Sequence, residues 1–151
     1  MEINKIIVFV CTSNTCRSPM AEGLARKYLK DNSLDGKYTV ISRGLTDMYE
    51  PIGSQASNHG IHVMINDYNI DVSNHRSKLL NDIDMNDSYI VIAVSQSHYN
   101  EIIKRYPNNI NKVSKLSEDV MDPWHENVDV YQKTAFKLSN LINDIMTKII
   151  I

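Results

Sequence analysis

The sequence predicts an α/β fold in which a mostly parallel sheet lies between two layers of helices. Strand-like apolar runs alternate with helix-like segments along the whole chain, the pattern of βαβ units. The two strongest runs, residues 5–11 and 89–94, are rich in Val and Ile and lack polar alternation, as strands covered on both faces do. At 151 residues, with no repeat, low-complexity tract or linker, the chain reads as one domain over 1–151.

The elements follow in order. Lys5-Ile6-Ile7-Val8-Phe9-Val10-Cys11 is the first buried strand. Residues 19–29 read as a helix with Ser18 as N-cap, Pro19 in the first turn and Glu22 one residue off an ideal capping box. A turn cluster from Asp31 to Gly36 leads to a short strand over 38–42. After a loop holding Gly44, Pro51 and Gly53 comes a helix over about 54–64, weakened by Gly60. Residues 66–87 are polar and carry no periodic signal, so no element is assigned there. Residues 89–94 form the second strong strand, 97–106 a helix stopped by Pro107, and 112–116 a weak strand. The last helix carries Tyr131, Ala135, Leu138, Ile142, Ile145 and Ile149 at helical spacing, a stripe that faces a core.

Charge and cysteine content exclude several classes. Sixteen Lys+Arg against eighteen Asp+Glu give a formal net charge of −2, so the basic field that non-specific nucleic-acid or acidic-membrane binding needs is missing. Positive potential is expected in one local site only. The run Ile6 to Val10 is too short for a membrane span or a signal-peptide core. The two cysteines, Cys11 and Cys16, rule out a disulfide framework and a four-cysteine zinc site. A reducing, cytoplasmic setting is expected.

In an open parallel sheet, ligands bind at the carboxyl ends of the strands, and Cys11 ends the first one. Cys11-Thr12-Ser13-Asn14-Thr15-Cys16-Arg17-Ser18 joins that strand to a helix. A loop of this length can curl so that successive N–H groups converge on an oxyanion. The following helix adds its positive end, and Arg17 adds a planar fork suited to phosphate. A cysteine beneath that socket feels the same field, which favours the thiolate, a nucleophile aimed at phosphorus. Cys16 could reach Cys11 across the loop, and a reversible disulfide would protect the nucleophile from overoxidation.

The run Val8-Phe9-Val10-Cys11-Thr12-Ser13-Asn14-Thr15-Cys16-Arg17-Ser18-Pro19-Met20-Ala21-Glu22, with Asp122-Pro123 downstream, resembles the low-molecular-weight protein tyrosine phosphatases over essentially the whole chain. The resemblance implies a three-layer sandwich around a four-stranded parallel sheet of order 2-1-3-4, and phosphomonoester hydrolysis without metal or other cofactor. It also implies Cys11 as nucleophile, Arg17 as phosphate clamp, Asp122 as general acid, and Asn14, Ser18, Ser42 and His75 as polar supports of the loop. Three departures stand out. Ser13 replaces a common glycine, Arg43 replaces an alanine and adds charge near the substrate approach, and Trp124 and His125 replace paired tyrosines of animal members.

The resemblance implies an aromatic pocket wall at Tyr49, and Trp124 lies beside Asp122, so the two are expected to sandwich a phenyl ring, which favours phosphotyrosine in proteins or peptides. Thr15 stands where isoleucine is usual and resembles phosphoarginine-selective bacterial relatives, so protein phosphoarginine is the alternative substrate. Arsenate reduction of the thioredoxin-coupled kind needs downstream cysteines, and none follows Cys16. A non-catalytic phosphate-binding module is disfavoured by the joint presence of Cys11 and Asp122. Expected ligands are phosphorylated proteins and inorganic phosphate or similar oxyanions.

Overall fold

Both faces of the first strand are buried, which is what its uninterrupted apolar run requires. In the computed structural model, which describes residues 4–150, the order is β1 (Lys5–Cys11), α1 (Arg17–Asp31), β2 (Tyr38–Gly44), α2 (Asn58–Tyr68), α3 (Asp82–Asp87), β3 (Ile90–Ala93), α4 (Gln96–Arg105), β4 (Val113–Lys115) and α5 (Val128–Ile149). A 3-10 helix, Pro107–Lys112, precedes β4. Residues 1–3 and 151 of the span read as one domain lie outside the described residues.

The four strands pair in parallel in the order β2-β1-β3-β4, as expected. Side chains of β1 alternate between two cores. Ile7, Phe9 and Cys11 join a cluster with Leu24 and Leu29 of α1, Val63 and Met64 of α2 and the α5 stripe. Val8 and Val10 join a second cluster with Met85 of α3 and Ile102 of α4. Three layers follow: α1, α2 and α5, then the sheet, then α3 and α4. Phe9 is fully buried, and truncating such a side chain to alanine costs about 3–5 kcal/mol. The chain leaves β1 toward β2 on one side and returns to β3 on the other, so the carboxyl end of β1 is the switch point.

Local corrections have local causes. α1 starts at Arg17 with Cys16 at its N-cap; Ser18 lies inside the helix and makes no cap bond, because its hydroxyl faces Cys11 and Asn14 instead. Glu22 likewise caps nothing and accepts from Ser42. The helix expected at 54–64 runs from Asn58 to Tyr68: Ser54 is tied to Ser77 by two bonds in the loop, and Asn69, with φ of 56°, ends the helix. The unassigned stretch 66–87 contains α3, held by a reciprocal capping box between Asn81 and Asp84.

Candidate active site

Residues 12–16 turn between β1 and α1 at the switch point. Within the described residues, no hydrogen bond uses the N–H groups of Ser13, Asn14, Thr15 or Cys16 as donors. Arg17 Nε is buried and has no partner either. Buried donors left unpaired cost about 1–3 kcal/mol each, so such a cluster points to an anion as its partner. Ser13, Thr15, Cys16 and Arg17 line a cavity of about 290 Å3 together with Cys11, Asp122 and Trp124.

Asn14 holds the loop's shape. It is the only residue of 12–16 with positive φ, at 60°, so Ser13 keeps a side chain without left-handed strain. Its amide donates to Ser18 Oγ at 2.8 Å and to Ser42 Oγ at 2.9 Å, while its Oδ1 accepts from the Lys78 N–H at 3.0 Å. The Asn14 carbonyl accepts from His75 Nε2 at 2.7 Å. Burial holds the His75 imidazole below its ordinary range, in keeping with a neutral ring. Ser42 then gives its own proton to Glu22 Oε1 at 2.8 Å. Ser18, already accepting from Asn14, has its proton for Cys11 Sγ at 3.0 Å, with the Arg43 carbonyl a more distant acceptor at 3.5 Å. A continuous chain of bonds, with donation running outward from the Asn14 amide, thus links the Glu22 carboxylate to the Cys11 sulfur.

Gly44, at the end of β2, lets the loop pass close. A Cβ there would stand 3.0 Å from Ser13 C and Thr12 O, both backbone atoms.

Arg17 ties the loop to the Asp122 segment. Its Nη1 donates to Val120 O at 3.1 Å, and its Nη2 lies 3.3 Å from Thr12 Oγ1 and 3.4 Å from Asp122 Oδ2. The other Asp122 oxygen accepts from the Trp124 N–H at 3.1 Å, which holds the turn after Pro123. Asp122 therefore faces the loop across the cavity mouth.

Sequence reasoning passes over His98. It is buried on α4, with Nε2 2.9 Å from Thr12 Oγ1 and Nδ1 2.6 Å from Ser95 Oγ. Burial, then the Arg17 charge, push its pKa down to about 4, so it is neutral at physiological pH. Only a contact across 86 positions reveals it. Cys16 lines the cavity with Cys11; its thiol is 3.3 Å from Tyr131 OH on α5, and burial pushes it up. Both cysteines are free.

Two expectations about the rim are corrected. Tyr49 and Trp124 both line the cavity, but they meet edge to face with centroids 5.6 Å apart, too close to admit a ring between them. They make one wall, and Glu50 accepts from the Trp124 indole. Arg43 does not add charge at the substrate approach; it turns to Asp84 of α3 at 2.9 Å. No group of three or more His, Cys, Asp or Glu among the described residues could hold a metal ion. Nor is any helix among them long and apolar enough to cross a membrane.

Comparison with known proteins gives consistent matches. Residues 6–149 match the family model described as low molecular weight phosphotyrosine protein phosphatase. The chain is 31% identical over 147 residues to the low molecular weight protein-tyrosine-phosphatase PtpB of Staphylococcus haemolyticus, covering 93% of this chain and 97% of that one. It is 30% identical over 146 residues to a protein-arginine-phosphatase of Bacillus subtilis, covering 92% and 93%. Among solved structures, a low molecular weight protein tyrosine phosphatase from T. tengcongensis superposes with a TM-score of 0.88 at 35% identity, covering 97% of this chain and all of the other.

Proposed function

The chain belongs to the low molecular weight phosphotyrosine protein phosphatase family, and from that premise we propose that it hydrolyses phosphotyrosine in phosphorylated proteins through a phosphocysteine at Cys11. In the first step Cys11 Sγ attacks phosphorus and the bond from phosphorus to the phenolic oxygen breaks. Tyrosine's phenol has a pKa of ~10 and leaves poorly as an anion, so Asp122 gives its proton to that oxygen. In the second step the Asp122 carboxylate takes a proton from water, whose oxygen attacks phosphorus and releases the Cys11 thiolate and inorganic phosphate. Arg17 and the N–H groups of residues 12–16 hold the equatorial oxygens throughout. For a phosphoryl group to take the guanidinium, the 3.4 Å Arg17–Asp122 contact must open, which frees Asp122 for the leaving group.

One observation carries this reading: in the loop that follows the Cys11 thiol, the N–H groups of residues 13–16 and Arg17 Nε have no protein partner, and the thiol itself meets the Ser18 hydroxyl. The Ser18 donor steadies Cys11 both as attacking and as departing thiolate. Ser42 and His75 act by holding Asn14. Cys16 serves as a redox guard for Cys11, and a chain that keeps two free thiols at its reaction centre suits the cytoplasm.

The aromatic wall of Trp124 and Tyr49 beside Asp122 favours an aryl substrate stacked on one face. A second reading, phosphoarginine in proteins, is favoured by Thr15, whose side chain lines the cavity with only a 3.9 Å contact to Cys16 Sγ. Turnover of phosphotyrosine and phosphoarginine peptides by wild type and Thr15→Ile separates the two. The phosphotyrosine assignment predicts that tyrosine peptides are preferred and that Thr15→Ile leaves that preference in place. A phosphoarginine preference that isoleucine abolishes contradicts it.

A further inference from the structure

A second cavity, larger than the catalytic one, lies apart from it. A groove of about 680 Å3 runs between α1, the end of β2 and residues 69–78. Arg26, Lys27 and Lys30 line it from α1, Arg43 from β2, and Arg76 and Lys78 from the opposite wall. Only three carboxylates, Glu22, Asp31 and Asp71, share the lining, which leaves a surplus of three positive charges in a chain whose formal net charge is −2.

Two of the three carboxylates are already paired with cations. Glu22 pairs with Arg26 at 2.9 Å and Asp31 with Lys27 at 3.4 Å, while Asp71 accepts from the Ser73 N–H. Arg43 is paired with Asp84. Lys30, Arg76 and Lys78 have no carboxylate partner among the described residues; Arg76 donates only to the carbonyls of Ser73 and His75. Cations gathered along a groove focus potential and attract an anion. The volume lies in the range of small-molecule sites. Lys30 on one wall and Arg76 and Lys78 on the other stand against the single unpaired carboxylate of Asp71, so a ligand with more than one phosphate can meet cations of both walls.

We propose that this groove is a second anion site that takes a compact ligand bearing two or more phosphate groups, a nucleotide or an inorganic oligophosphate. The site is wired to the catalytic loop. Ser42 and His75 line the groove and both bond to Asn14, at 2.9 and 2.7 Å, and the Lys78 N–H bonds to Asn14 Oδ1. An occupant therefore touches the side chains that hold the loop's one left-handed residue, and its binding alters turnover. This assignment stands on the groove alone and does not depend on which phosphorylated residue the catalytic site prefers.

Backbone amide NMR of the full chain, titrated with tripolyphosphate, ATP and adenosine, tests it because the two sites report on different residues. Tripolyphosphate should shift residues 26–30 and 71–78 saturably, in addition to any shifts at 11–18. Charge reversal in Lys30→Glu/Arg76→Glu should weaken that binding by about tenfold or more, with thermal unfolding and ligand-free turnover of p-nitrophenyl phosphate unchanged. ATP binding no more tightly than tripolyphosphate identifies the phosphate chain as the recognised group; tighter binding by ATP identifies a nucleotide site. Shifts confined to residues 11–18, undiminished binding by the double variant, or equal binding of adenosine would overturn the proposal. So would stronger binding of a polyglutamate peptide at the same residues, which would make the groove a protein-docking surface.

Discussion

Asp122 and His98 touch the same arginine's surroundings from two directions, and their substitutions should fail differently. Asp122→Asn keeps the bond to the Trp124 N–H but has no proton to give. Turnover of phosphotyrosine should fall by about 10²–10⁴-fold, with a smaller loss on p-nitrophenyl phosphate, whose phenolate leaves more readily. Equal losses on both substrates would remove the general-acid role. His98 is a positioning residue, acting through Thr12 on Arg17. In His98→Ala the Thr12 hydroxyl and Ser95 lose their bridge, which costs about 1–3 kcal/mol. The loss should appear as a raised KM and weaker inhibition by phosphate more than as a lower kcat, with His98→Gln recovering much of it. A pure loss of stability, with normal KM in the folded fraction, would assign His98 to the scaffold alone.

Elements set by apolar periodicity are legible in the sequence, and those set by polar side chains are not. β1 and the α5 stripe stand out because burial writes itself into consecutive or helically spaced apolar residues. α3 escapes because it is six residues long with a single buried side chain, Met85, and depends on the Asn81–Asp84 capping box. The start of α1 is misjudged because Ser18 looks like a cap while its hydroxyl serves the thiol. The loop 11–18 is readable as one contiguous motif. Its supports are harder: Glu22 and Gly44 reach it from neighbouring elements, His98 and Tyr131 from 86 and 115 positions away. Close passage at the end of β2 gives a direct test. A Cβ on Gly44 meets the loop backbone at 3.0 Å, so Gly44→Ala should cost about 1–3 kcal/mol and lower activity beyond that loss by displacing the loop amides. Denaturant unfolding together with phosphate affinity checks both; unchanged values would mean that the loop yields freely.

Across the whole molecule, charge is distributed less simply than the near-neutral total suggests, since the groove behind the loop is cationic as well as the loop itself. Buried imidazoles make global stability depend on pH. His98 binds its proton at about 4 when folded and near 6.5 when unfolded, so between those values the unfolded chain holds more protons and stability rises with pH. The contribution is fully present above about pH 6.5 and is lost as pH falls toward 4, amounting to about 3 kcal/mol. His75 shifts in the same direction. Unfolding free energies of wild type and His98→Gln at pH 7 and pH 4.5 should therefore converge on acidification, and parallel curves would contradict the buried neutral ring. Wild-type enzyme acid-quenched during turnover of a phosphotyrosine peptide, digested and examined by mass spectrometry, should carry phosphate on the peptide containing Cys11. Continued turnover by Cys11→Ala, with no phosphorylated peptide from the wild type, would rule out a phosphocysteine at Cys11.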